Sequence, residues 1–160
     1  MDAYHRQCTV RAPLEEVWEF HSTPAGLEAL TPGWMNLRVE ATIGSDGSPD
    51  PEVLEAGSEV TASIRPFGVG PRQYWTSEIV EREREDGVAY FRDRMVYGPF
   101  DEWVHTHAFF ADGGRTTVRD HVAYALPFGP IGRLGTPFSR VGFELMFRER
   151  HRRTRRELER

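Results

Sequence analysis

The chain contains no lysine: all 20 of its basic residues are arginine. That absence removes Schiff-base formation and a lysine general base from its chemistry. Cysteine is nearly as scarce. The single Cys8 has no partner for an internal disulfide, and its alternating apolar surroundings mark a buried thiol rather than a nucleophile. No apolar run approaches the roughly 18 residues of a membrane span, and no charged-then-apolar signal opens the sequence, so a cytoplasmic location is expected. A basic surplus is missing too. The net charge of −5 speaks against nucleic-acid binding. Nucleophile elbows, phosphate-cradling glycine loops, internal repeats and domain linkers are also absent. What remains is 160 residues, 39% hydrophobic and 28% charged, which suits a single domain spanning 1–160 with a real core.

Periodicity orders that domain. Residues 4–10 alternate as a first strand with Cys8 and Val10 inward. Pro13 then suits the first turn of a helix carrying Leu14, Val17, Trp18 and Phe20, and a second short helix is expected over Ala25–Leu30. Strands follow over Trp34–Ile43, Glu59–Pro66, a longer segment around Trp75, Ser77 and Ile79, and Val88–Tyr97; Arg82–Gly87 reads as a charged turn. At the other end, Thr136-Pro137 looks like an N-cap and first helical position. A long helix from there toward Leu158 has Phe138, Val141, Leu145 and Met146 as its apolar stripe and an arginine-rich end. That end suits a solvated helix terminus; an anion-binding or partner-binding role is the other reading.

The segment from Asp93 to Pro127 carries the chemistry. Gly98-Pro99 and Asp112-Gly113-Gly114 divide it into three strands. Side chains alternate along a strand, so Trp103, His105, His107 and Phe109 share a face, as do Val118, Asp120, Val122 and Tyr124. A turn at Gly113-Gly114 puts His107 opposite Asp120, His105 opposite Val122 and Trp103 opposite Tyr124. The first turn brings Asp93 near His105. One face is then aromatic yet holds two histidines and two aspartates, a lining rather than an ordinary core.

The stretches A-P-L-E-E-V-W-E-F, L-T-P-G-W-M-N-L, G-P-F-D-E-W-V-H-T-H-A-F and T-V-R-D-H-V-A-Y-A-L-P-F-G-P-I-G span nearly the whole chain. In them it resembles the START/Bet v 1-like (SRPBCC) superfamily, nearest to its ligand-binding, polyketide cyclase/dehydrase-like members. The resemblance implies an α+β helix-grip fold: a curved antiparallel sheet of about seven strands wrapped on a long C-terminal helix, with two short helices between strands 1 and 2. It also implies an apolar cavity between sheet and helix that receives a hydrophobic or aromatic small molecule. The expected lining is Trp34, Trp75, Phe91, Asp93, Met95, Trp103, His105, His107, Asp120, Tyr124, Phe138 and Leu145. Within it, Asp120 is expected to orient His107, and Asp93 to pair with His105. An enzyme of cyclase or dehydratase type would use His107 and Asp120 as its acid/base couple, with Tyr124 or an inward Arg65 steadying a developing anion. His-x-His also presents two imidazoles as zinc and iron sites do, but the motif is short, and the reading assigns no metal and no cofactor. His121 and His151 are expected in solvent. Exposed edge strands leave room for a homodimer.

Overall fold

The computed structural model describes residues 1–159 and has the expected helix-grip architecture. Seven strands form one antiparallel sheet in the order β1-β7-β6-β5-β4-β3-β2. They are β1 (Asp2–Val10), β2 (Arg38–Ile43), β3 (Glu59–Ile64), β4 (Gln73–Glu85), β5 (Val88–Tyr97), β6 (Glu102–Asp112) and β7 (Arg115–Ala125). Helices α1 (Leu14–His21) and α2 (Pro24–Leu30) lie between β1 and β2, and α3 (Gly129–Arg133) precedes the long α4 (Thr136–Leu158). No described helix is long and apolar enough to cross a membrane.

Local signals fix most of the boundaries. The Thr23 hydroxyl caps α2 by accepting from the Gly26 amide at 3.0 Å, and Pro24 follows it. A Cβ on Gly26 would lie 1.9 Å from the Phe20 carbonyl oxygen, so only glycine lets the α2 backbone approach α1 this closely. The β6–β7 hairpin has the predicted register: Trp103 pairs with Tyr124, His105 with Val122, His107 with Asp120 and Asp112 with Arg115. Asp93 sits opposite His105, as the Gly98-Pro99 turn predicts.

Elsewhere irregularities overturn simple alternation. The second strand begins at Arg38, because Gly33–Met35 forms a short 3-10 turn and Asn36 adopts left-handed backbone angles. A register shift between Val39 and Ala41 then swaps its faces, burying Thr42 and leaving Ile43 42% exposed. In β4, which runs to Glu85 through the expected charged turn, a bulge between Ile79 and Glu81 turns Arg82 inward. Its guanidinium lies 4.5 Å from the centre of the Trp18 ring. Arg65 is exposed, with its Nε donating to the Gly70 carbonyl, so it cannot serve the interior.

The largest correction concerns α4. Its buried residues are Phe143, Phe147, His151 and Thr154, a stripe at helical spacing on the side opposite the apolar one. Phe138, Val141 and Leu145 are 80%, 62% and 56% exposed. The helix also starts one residue early, at Thr136, whose hydroxyl donates to Asp2 rather than capping. Phe143 and Phe147 pack with Val122 and Tyr124, flanked by Tyr4, Phe100 and Trp103. A second cluster joins α1 to the sheet through Val17, Trp18, Phe91, Phe109 and Val118.

Candidate functional site

Between these two apolar clusters lies a band of polar side chains. Asp93, His105, His107 and Asp120 come from the inner faces of β5, β6 and β7, and His151 reaches them from α4. All five are buried, Asp120 to 1% and His151 to 3% exposure. The band exists because these inward positions fall on two successive inward rungs of the paired strands, Asp93 opposite His105 on one and His107 opposite Asp120 on the next.

The hydrogen bonds cross the register. Asp120 does not take its bond from His107, its opposite neighbour: Oδ1 accepts from His105 Nε2 at 2.8 Å. Asp93 pairs with His107 Nε2 at 3.0 Å, while its Oδ2 lies 3.9 Å from His105 Nδ1. The expected Asp120–His107 and Asp93–His105 couples are therefore exchanged. The reason is geometric, since the two rings, tilted by 33° with centres 3.6 Å apart, offer opposite edges to the two carboxylates. Asp120 Oδ2 accepts a further bond from His151 Nε2 at 2.6 Å. His151 thus ties α4 to the sheet and is not in solvent; the signal for it was its spacing of four from Phe147 and eight from Phe143. His121 does lie on the exposed outer face.

At His107 burial favours the neutral ring, opposed only in part by the carboxylates. It pushes His107 down to about 4, with the neighbouring His105 adding to the effect. For Asp93 burial acts upward, but the His107 hydrogen bond and the surrounding His105, His107 and Arg150 outweigh it and hold the carboxyl below its usual range. Asp120 lies well below that range: burial again raises it, and the bonds from His105 and His151 prevail. The site is thus two carboxylates accepting from imidazole N–H groups, with His107 unprotonated near neutrality. Two buried ring atoms, Nδ1 of His107 and Nδ1 of His151, have no hydrogen-bond partner. Burial also pushes the Cys8 thiol up to about 11, consistent with an inert group.

His21, at the end of α1, donates Nδ1–H to the Val17 carbonyl at 2.7 Å, and burial with the Arg150 charge pushes it down to about 3. The unfolded chain protonates this ring near 6.5, so below that pH it binds a proton that the folded chain refuses. Stability is therefore full above pH 6.5 and falls as the pH drops toward 3, by up to about 1.4 kcal/mol per pH unit from this group. We expect urea midpoints to decline between pH 7 and 5, and to decline less in His21→Gln. An equal decline in both proteins would locate the effect elsewhere.

The remaining predicted lining residues separate into three groups. Phe91 stacks on His107 with ring centres 4.0 Å apart, and Trp103 and Tyr124 belong to the packed aromatic cluster. Trp75 and Met95 are half-buried on the inner face and belong to neither cluster. A Cβ on Gly98 would meet Met95 Sδ at 2.3 Å and Trp75 Cβ at 2.9 Å, so these two side chains crowd the same turn. Trp34 stands apart, stacked on exposed Phe67 at 5.0 Å. Phe138 and Leu145 are on the solvent face of α4 and do not join the others. A separate open cleft of about 630 Å³ lies where α4 begins, lined by Met1, Asp2, Arg133, Thr136, Pro137 and Arg140.

Residues 8–158 match the family described as Domain of unknown function (DUF8410), and the chain belongs to that family. No curated protein matches the sequence. Solved structures with the same fold include a Chromobacterium violaceum protein, at 12% identity and TM-score 0.70, covering 99% of this chain and 97% of that one. Norcoclaurine synthase from Thalictrum flavum, in complex with dopamine and hydroxybenzaldehyde, is 15% identical at TM-score 0.57, covering 89% and 82%. Major latex-like protein 151 from Panax ginseng is 16% identical at TM-score 0.61, covering 99% and 98%. At these identities the likeness concerns the fold, which is Bet v 1-like.

Proposed function

We propose that this DUF8410 member binds an apolar, ring-bearing small molecule on the concave face of the sheet, beside the Asp93–His107 pair. The observation that carries the reading is the state of Trp75 and Met95. They point inward from adjacent strands, remain half-exposed, and take no part in either packed cluster. Apolar surface left uncovered beside a buried polar pair is what a ligand site requires. The fold shared with norcoclaurine synthase, a protein seen with two aromatic ligands, supports the same reading.

An acid/base enzyme of cyclase or dehydratase type is the alternative. Its couple would be His107 with Asp93, since Asp120 is engaged by His105 and His151. A ring that resists protonation down to about pH 4 is a weak base near neutrality, which favours the binding role.

Native mass spectrometry of freshly purified protein tests the proposal. We expect an organic mass of a few hundred daltons that is lost on denaturation. In Trp75→Ala, losing roughly 60 Å² of apolar contact costs about 1.5 kcal/mol and lowers affinity about tenfold, and the retained adduct falls accordingly. An adduct whose occupancy is the same in Trp75→Ala would place the ligand elsewhere. Turnover of a bound compound that disappears in His107→Ala while its binding persists would favour the enzyme.

A further inference from the structure

We propose that Asp93, His105 and His107 form a binding site for a divalent first-row transition ion, with Asp120 as the carboxylate behind the ligating rings. Such a site is independent of any organic ligand, and the sequence alone assigned no metal to these residues. Its first support is convergence. One ligand atom from each of the three residues lies within 4.8 Å of the others. Bonds of 2.0–2.2 Å to a four-coordinate ion put ligand atoms about 3.3 Å apart. The pairs here bracket that value, with Asp93 Oδ2 at 3.0 Å from His107 Nε2 and 3.9 Å from His105 Nδ1.

The second support is the arrangement behind the rings. A ligating histidine ordinarily gives its other N–H to a carboxylate, which fixes the tautomer and strengthens the donor. His105 does so already, with Nε2 on Asp120 Oδ1 at 2.8 Å while Nδ1 faces Asp93. His107 has the same disposition in reverse: Nε2 faces Asp93, and Nδ1 lies 3.4 Å from the same Asp120 oxygen. Asp120 is itself steadied by His151 at 2.6 Å.

The third support is a defect in the metal-free network. With Nε2–H donated to Asp93, Nδ1 of His107 is a buried lone pair facing a carboxylate, and it has no partner. The other tautomer instead sets the Nε2 lone pair against Asp93. A cation between Asp93 and the two rings removes the conflict: it takes the Nε2 lone pair, and Nδ1–H turns to Asp120. Two carboxylates and neutral imidazoles then balance a 2+ charge. Two histidines and one carboxylate leave at least one coordination position open for water or a ligand oxygen. The Asp93 side chain, at 13% exposure, is the most accessible of the three.

The experiment is a Zn²⁺ titration of chelator-treated protein by calorimetry, repeated with Co²⁺ while following its visible d–d absorption. One ion per chain is expected, with Co²⁺ bands typical of low coordination number. Affinity should fall at least a hundredfold in His107→Ala and in the near-isosteric Asp93→Asn, and roughly 10–100-fold in Asp120→Asn. His5 and His121 form an exposed cross-strand pair on the outer face and are the natural decoy. Loss of binding in His121→Ala, with His107→Ala unaffected, would overturn the proposal, as would the absence of stoichiometric binding. Histidine-ring NMR of the unaltered protein decides the matter even where a variant fails to fold. Zn²⁺ should move the His105 and His107 signals and leave those of His5 and His121 in place; the reverse refutes the site.

Discussion

Replacing Asp120 with alanine is expected to cost roughly 3–5 kcal/mol of folding stability, the largest loss for any polar residue of the site. For a domain of this size that lowers the thermal midpoint by roughly 10 °C. The magnitude follows from what Asp120 holds. It accepts from His105 at 2.8 Å and from His151 at 2.6 Å, with its side chain only 2% exposed. Truncation strands two buried ring N–H groups at once, and each unpaired donor carries its full desolvation cost. It also removes the buried hydrogen bond that joins His151 of α4 to β7. Asp120→Asn should recover part of the loss, because its amide oxygen can accept from one ring while its NH₂ meets the other as donor against donor. The contrasting case is Arg6 with Glu144, which also ties the sheet to α4 but lies partly in solvent at 29% and 45% side-chain exposure. Glu144→Ala should cost no more than about 1 kcal/mol. Chemical unfolding of the three variants beside the parent measures all of this. An Asp120→Ala protein within 1 kcal/mol of the parent would mean that the rings find other partners.

What the sequence revealed, and what it concealed, divides along a physical line. Strand pairing was legible because a two-residue glycine turn leaves little freedom: once Gly113-Gly114 is the turn, the opposition of His107 and Asp120 follows. The inward faces of β5 to β7, and so the membership of Asp93, His105, His107 and Asp120 in one band, were legible by the same alternation. The partner of each ring was not. Opposition across a ladder fixes Cβ positions, whereas hydrogen bonds depend on ring rotation, and two rings in contact send their nitrogens to the diagonal carboxylates. Bulges were equally hidden. A single extra residue reverses every later side chain, as with Arg82 in β4 and Thr42 in β2. His151 was lost to composition: lying in an arginine-rich run, it looked like solvent, although its spacing from Phe147 placed it on the inner face.

The same conflict between composition and spacing decides which side of α4 holds the fold together, and its test has the second-largest expected effect. Hydrophobic periodicity favoured Phe138, Val141 and Leu145, because the true inner stripe ends in a histidine and a threonine that contribute little hydrophobicity. Each makes a hydrogen bond inside, His151 Nε2 to Asp120 and the Thr154 hydroxyl to the Arg150 carbonyl at 3.0 Å, which offsets part of the cost of burying them. Phe147 is 1% exposed, stacks on Tyr4 with ring centres 5.4 Å apart, and meets His105 edge-on at 5.3 Å. Phe147→Ala should therefore destabilise the chain by about 3–5 kcal/mol through lost contact and the cavity left behind. Phe138 is 80% exposed, and Phe138→Ala should stay within about 0.5 kcal/mol of the parent. The two substitutions remove the same atoms from the same helix, so intrinsic helix propensity cancels between them and the difference reports the buried face alone. Equal losses would mean that both faces are covered in solution. A larger loss at Phe138 would restore the stripe that hydrophobicity suggests and would turn His151 away from Asp120.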